Sequence, residues 1–372
     1  MEPFKNLFSV TSARRIAHAL QRGFRGFSEE TFLSGLEPAL DTLELKGRMH
    51  LLADRIETQL PGNPPELFPL LTSALAQNPE DTEGLSSFHV WPLTEIVARR
   101  GLHHFEASMA ALRAMTICFT AEFAIRPFLR SDLERTLEQL WIWRLDPNEH
   151  VRRLVSEGSR PLLPWGERLP AIQKDPELTL PLLEALKNDP SEYVRRSVAN
   201  HLNDHSKAHP ARVVAVLTEW LAADPTNAGL RRLARHASRT LLKSGHSDAL
   251  LLHGYAPAEV LEVSAVAISP PQLQVGDALS YQLSIRNRGS EPAKVLFDYA
   301  IHHRRANGGQ SAKVFKGRIR ELAPGEIWQV TGTHPLRRVT TRRYHAGLHH
   351  FEPRINGRSS PAQPFELVVP ES

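Results

Sequence analysis

Apolar residues recur at three- and four-residue spacing from the start of the chain to about position 255, as in Leu45, Met49, Leu52, Ile56 and Leu60, and short breaks containing Pro, Asp, Asn or Gly separate the runs. This spacing predicts helix after helix. From about 258 the period falls to two: Leu261–Ser269 and Leu279–Asn287 alternate, punctuated by Pro270-Pro271, Gly276-Asp277 and Asn287–Gly289. Further alternating stretches lie near 294–303, 312–320, 327–334, 340–350 and 364–369. About seven short strands in roughly 110 residues fit an immunoglobulin-like sandwich. The expected architecture is multidomain: an all-α helical solenoid over residues 1–257, then an all-β immunoglobulin-like sandwich over residues 258–372.

The helical part contains a degenerate repeat. Asp146-Pro147, Asp189-Pro190 and Asp224-Pro225 each precede an Arg-Arg pair, at 152–153, 195–196 and 231–232, which directly follows Val151, Val194 and Leu230. Asp before Pro predicts a helix cap, with the carboxylate accepting free N–H groups and Pro sitting in the first turn. The pattern resembles HEAT repeats, whose helix pairs present a shared groove. Residues three and four apart occupy one helical face, so Arg153, Glu157 and Arg160 align with Arg196, Asn200 and Asn203, and with Arg232, His236 and Arg239. This polar stripe is expected to line the groove.

Two segments carry candidate chemistry. Phe119–Phe128 holds one carboxylate, Glu122, in an apolar and aromatic run where uncompensated burial is costly. Glu122 is either a buried acid paired with Arg126 or a groove residue. Ser156–Gly166 carries Glu157 and ends a helix with Gly158, Pro161, Pro164 and Trp165, an expensive way to make a mere connection. Arg153 and Glu157 alone would suit an ordinary i,i+4 surface ion pair. His349 and His350 are adjacent on an expected strand and point oppositely, so they predict no metal site. No Gly-rich phosphate loop, nucleophile elbow or cysteine cluster occurs.

Thr120–Phe128, Asp146–Trp165 and Val194–Asp204, with the helical repeat around them, resemble the AlkC branch of the HEAT-like DNA alkylation-repair glycosylases. The resemblance covers essentially the whole chain, and residues 258–372 fit the C-terminal immunoglobulin-like domain that some members carry. It implies a monofunctional DNA glycosylase of base excision repair. Such an enzyme hydrolyses the N-glycosidic bond of cationic alkylated bases, mainly 3-methyladenine and also 3-methylcytosine and 1-methyladenine, in duplex DNA without base flipping. The resemblance makes Glu122 and Glu157 the catalytic acids and Trp165 the residue stacking near the lesion. Arg153, Arg160, Arg195, Arg196, Asn200 and His201 become DNA contacts. In the sandwich, Arg342, Arg343, His345 and His349 are the residues expected nearest DNA. No lysine occurs in either acid-bearing motif, so water is the expected nucleophile. The competing expectation is a non-catalytic HEAT scaffold that binds DNA or protein through the same groove.

Composition narrows the setting. The 372 residues are 41% hydrophobic and 23% charged, enough apolar content for packed cores. One cysteine, Cys118, excludes an intramolecular disulfide and any CxxC motif and fits a reducing cytoplasm. The N-terminal segment lacks a secretory pattern, so no membrane association is expected. Residues 258–372 hold 15 Lys and Arg against 10 Asp and Glu. Pairs such as Arg304-Arg305, Arg337-Arg338 and Arg342-Arg343 suit phosphate, and are equally common as solvated strand residues. The expected protein is a monomer without metal or cofactor, its partner alkylated double-stranded DNA.

Overall fold

The structure, a computed structural model, describes residues 3–78, 80–338 and 343–369. Helices run to Leu252, a 3-10 turn spans Ala258–Val260, and every later element is a strand. The change of secondary structure therefore falls at the expected place. Packing divides the chain differently, into one unit of Met1–His209 with Asp224–Ala237 and a second of Pro210–Ala223 with Ser238–Ser372. Within the second unit, the Ala256 N–H donates to Lys294 O, and Asn356 Nδ2 donates to Ala256 O at 2.7 Å. The segment around 257 is thus tied into the sandwich.

Ten strands occur among the described residues: β1 (Leu261–Val263), β2 (Ala267–Ser269), β3 (Gln272–Gln274), β4 (Ala278–Asn287), β5 (Ala293–Arg304), β6 (Gln310–Leu322), β7 (Ile327–Pro335), β8 (Gly347–Ile355), β9 (Arg358–Ser359) and β10 (Gln363–Val368). One sheet runs β1-β4-β2 with β7 on β4, the other β3-β10-β8-β5-β6 with β9 on β8. Leu261–Ser269 is two strands rather than one. Its buried positions move from odd (Leu261) to even (Val266), and such a phase change cannot stay in one pleat. Both pieces still pair with β4, β1 at Ile285–Asn287 and β2 at Ser280–Gln282. The strand expected over 340–350 begins at Gly347, and part of its expected span lies outside the described residues. The inward faces of the sheets meet in an aromatic core of Tyr281, Phe297, Tyr299 and Phe351, with Tyr281 and Phe351 stacked at 4.8 Å.

In the first unit, the Leu133–Trp143 helix is followed by Glu149–Gly158 and the Leu180–Leu186 helix by Glu192–His205. The second helices of these pairs pack side by side, and Ala228–Ala237 continues the row. The Asp-Pro pairs do not cap these helices as expected, because the prolines lie before the caps. Asn148 and Asn227 are the capping side chains, accepting from His150 N and Leu230 N. Asp146 and Asp189 instead turn the loop, accepting from Asn148 N at 2.9 Å and Ser191 N at 2.8 Å. Each also receives an arginine from the repeat before: Arg113 on Asp146 at 2.6 Å, and Arg152 on Asp189 through two bonds of 2.7 and 3.0 Å. A bidentate pair of this kind fixes repeat spacing.

Candidate active site

The Arg-Arg pairs separate by role. Consecutive residues on a helix point about 100° apart, so two neighbouring arginines cannot share one face. The first of each pair reaches toward the helix N-terminus and back to its own Asp-Pro loop, the direction helical side chains favour. Arg152 donates to Asp146 O and Pro147 O, Arg195 to Asp189 O and Pro190 O, and Arg231 to Pro225 O. Arg195, expected as a DNA contact, has one guanidinium nitrogen fixed in this scaffold while the group also lines a cavity with Arg196, Arg232 and His236. The second arginines lie on the other face. Arg196 is exposed beside Glu192, and Asn200 Oδ1 accepts from His236 Nε2 at 2.8 Å.

Arg153, the second arginine of the first pair, organises the two candidate acids. Its Nη1 donates to Glu122 Oε2 at 2.6 Å and to Thr120 Oγ1 at 2.9 Å, and its Nη2 lies 3.3 Å from Glu157 Oε1. Glu122 sits in the turn between the Phe105–Cys118 and Arg126–Ser131 helices, its side chain 12% exposed. Thr120 Oγ1 also donates to Glu122 Oε2, at 3.0 Å. Among the described residues, Oε1 of Glu122 has no protein partner. The partner expected for Glu122, Arg126, is elsewhere: it is buried and donates to Gly158 O, Arg160 O and Glu167 O. Burial pulls the Arg126 guanidinium down to about 10.

Glu157 is more enclosed, its side chain 7% exposed. Oε1 accepts from Arg160 at 2.7 Å and Oε2 from Ser197 at 2.7 Å, so both oxygens are occupied. Arg160 is not on the groove stripe: it is buried and donates its Nε to Asp204 Oδ2 at 2.8 Å. Burial opposes its charge, yet the hydrogen bond it donates to Asp204 and the charges of Glu157 and Asp204 outweigh burial and hold its guanidinium above the ordinary value. Lys207 completes the row at 3.1 Å from Asp204. Glu122, Arg153, Glu157, Arg160, Asp204 and Lys207 therefore alternate in sign along one array. Gly158 permits this packing, since a Cβ there would lie 2.6 Å from Ile125 Cγ2.

His201, expected as a DNA contact, is fully buried. Its ring bonds Ser156 O at 2.9 Å and Thr179 Oγ1 at 3.3 Å and stacks on His205 at 4.9 Å. It occupies the inward side of the Glu192–His205 helix, so it cannot reach a ligand. Burial, together with neighbouring charges, holds His201 well below the usual imidazole range and His205 down at about 4. Both rings are neutral in the folded chain and protonate on unfolding below about 6.5, so acid favours the unfolded state. Stability of this unit is expected to fall as pH drops from about 6.5 to 4, by roughly 3 kcal/mol for His205. Calorimetric melting over that range checks it, and His205→Gln should flatten the slope.

No hydrogen bond joins Trp165 to either acid among the described residues. Trp165 is 60% exposed and its backbone is left-handed at φ 64°, a strained conformation for a bulky residue. The loop is locked around it: Lys46 Nζ donates to Trp165 O, Gly166 N to Leu163 O at 3.1 Å, and Arg126 to Glu167 O. Phe4 meets the indole edge-on at 6.5 Å, and a cavity of about 380 Å³ joins Trp165 to Phe123, the residue after Glu122. A second aromatic ring, Tyr193, is 40% exposed, with the Arg153 guanidinium 5.1 Å from its centre. Burial pushes its phenol up. Neither Tyr193 nor Asp204 stands out in the sequence pattern; the signal that points to Tyr193 is its place in the second repeat, one turn ahead of Arg196.

In the second unit, His349 points into the sandwich, packed on Phe365 at 5.5 Å with Nε2 on His345 O, and so is not a surface contact. Alternation along β8 sends His349 inward and leaves its neighbours outward. Arg343 is exposed, His345 is half-buried, and Arg342 lies outside the described residues. Among the described residues no cluster of three His, Cys, Asp or Glu side chains suits a metal, and no helix is long and apolar enough to cross a membrane.

A HEAT-like helical unit with an acid–arginine array, joined in sequence to an immunoglobulin-like sandwich, defines a two-part repeat protein with a charged site. Residues 262–369 match the family described as "Uncharacterised protein YhaZ, C-terminal Ig-like domain". The chain is 34% identical to the uncharacterized protein YhaZ of Bacillus subtilis, over 99% of this chain and 100% of that one. It is 35% identical to the Pseudomonas fluorescens alkylpurine DNA glycosylase AlkC, solved bound to DNA containing an abasic site analog, with a TM-score of 0.84 over 99% of this chain and 100% of that one. The chain belongs to the AlkC family, in the form with a C-terminal immunoglobulin-like domain.

Proposed function

We propose that the protein is a monofunctional DNA glycosylase that hydrolyses the N-glycosidic bond of cationic alkylated bases, 3-methyladenine foremost and also 3-methylcytosine and 1-methyladenine, in duplex DNA without base flipping. The observation that carries this reading is Glu122: one oxygen is pinned by Arg153 and Thr120, and the other is left without a protein partner among the described residues. Water held on that free oxygen gives its proton to the carboxylate as its own oxygen bonds C1′ of the sugar. The C1′–N bond breaks with its electron pair moving to the base, which carried a positive charge and leaves neutral. No proton donor to the base is needed. The carboxylate also faces the positive charge that develops on the sugar, the larger effect in such sites.

Glu157, with both oxygens held, acts as a positioning acid that fixes Arg153 and through it Glu122. Trp165 stacks against the distorted duplex, and Arg153, Arg196 and Asn200, with Arg343 and His345, contact DNA. The test is single-turnover incubation with duplex carrying 3-methyladenine. Free base and an abasic site are expected, with no adduct trapped by borohydride. Duplex binding without release would leave a non-catalytic scaffold. Lys46 gives a second check, since it secures the Trp165 carbonyl. Lys46→Met is expected to slow release about ten-fold with little change in melting temperature, and Lys46→Arg to restore part of the rate.

A further inference from the structure

The Leu133–Trp143 and Leu180–Leu186 helices are the first helices of the two repeats whose second helices carry the charged array. An open groove of about 760 Å³ lies along them. Leu137, Trp141, Ile142, Leu178 and Pro181 form most of its walls. Trp141 is 43% exposed, Ile142 65%, and Leu145, just past the helix, 75%. The same helix already anchors itself in the core through the buried Leu140 and Trp143, so these outward side chains are not needed to hold it. Leu137 and Trp141 lie four residues apart on one face of the helix, and Leu145 extends that apolar line just past its end. A contiguous exposed patch of this kind marks a protein contact.

The charge on the groove identifies the contact. Its charged lining residues are Glu134 and Glu138, exposed, one turn apart, and without a cationic partner among the described residues. Two like charges at i,i+4 repel each other and are relieved by a cation from outside. Arg144 lies 3.7 Å from the centre of the Trp141 ring, so this ring already takes a guanidinium on one face. Acids and apolar walls exclude a nucleic-acid backbone here. We propose that the groove docks a basic amphipathic helix of a partner protein, its apolar residues against Trp141, Ile142 and Pro181 and its Lys or Arg on Glu134 and Glu138. The groove shares no residue with the Glu122–Asp204 array, so partner and substrate are held by different helices.

The test uses the full chain and two synthetic helices of about sixteen residues with the same leucine face, one with lysines and one with glutamates on its polar face. Titration by calorimetry is expected to show the lysine helix binding at least about ten-fold more tightly. Trp141→Ala should weaken it by a similar factor, and Glu134→Lys with Glu138→Lys should reverse the preference. These residues are exposed, so the variants should melt with the parent. Equal binding of the two helices, or indifference to the lysine substitutions, overturns the proposal. So does a dimer in sedimentation velocity that Trp141→Ala dissolves, because a second copy would then be the occupant.

Discussion

Glu122→Gln is expected to abolish detectable base release while leaving duplex affinity within a few-fold of the parent. The amide keeps the shape and can still accept from Arg153, but it can neither take a proton from water nor offset positive charge on the sugar. Loss of a general base costs about a hundred- to ten-thousand-fold, and loss of electrostatic stabilisation adds to it. Single-turnover release of 3-methyladenine and titration of the same duplex, measured side by side, separate rate from binding. Glu157→Gln is expected to lose less, because that side chain acts through Arg153 and both its oxygens are already engaged. A parent-like rate for Glu122→Gln would remove the carboxylate from the chemistry. An equal fall in rate and affinity would instead point to a collapsed array.

The expected difference between the acids is also where sequence reading reached its limit. Apolar spacing placed helix and strand on the correct sides of position 258, and the Asp-Pro and Arg-Arg pairs marked real repeats, because these signals depend on local geometry that any neighbour must respect. Orientation within an element was less legible. Arg160 is three residues from Glu157 on the expected polar stripe, yet that helix ends at Gly158 and the following turn sends Arg160 inward to Asp204. Asp204 is forty-odd positions away in sequence, and no spacing rule joins it to Arg160. The family resemblance carries His201 over as a DNA contact beside Asn200, but one step along a helix is enough to carry it into the core. His349 fails for the matching reason on a strand, where one step crosses the sheet. Glu122 was found through its isolation among apolar residues, while its true partner Arg153 lies in the next repeat.

Arg160→Met and Arg196→Ala are expected to have opposite signatures, although both arginines were equally eligible as DNA contacts in the sequence. Arg160 joins Glu157 to Asp204 at 2.7 and 2.8 Å and is buried. Removing it leaves two buried carboxylates short of a cation, with Lys207 and Arg153 as their remaining partners. Breaking a buried pair in this way costs about 3 kcal/mol, which for a unit of this size lowers the melting temperature by roughly 6–12 °C. Asp204→Asn in the same chain removes one stranded charge and should recover part of the loss, a coupling that a double-mutant cycle reads directly. The salt dependence of duplex binding should keep its slope, because no phosphate contact is lost. Arg196 is exposed on the second repeat, so its removal should leave the melting temperature unchanged and reduce the log–log salt slope by about 1. If Arg160→Met instead melts with the parent and flattens the salt dependence, the array opens to DNA, and its alternating charges are contacts rather than the frame that aims Glu122.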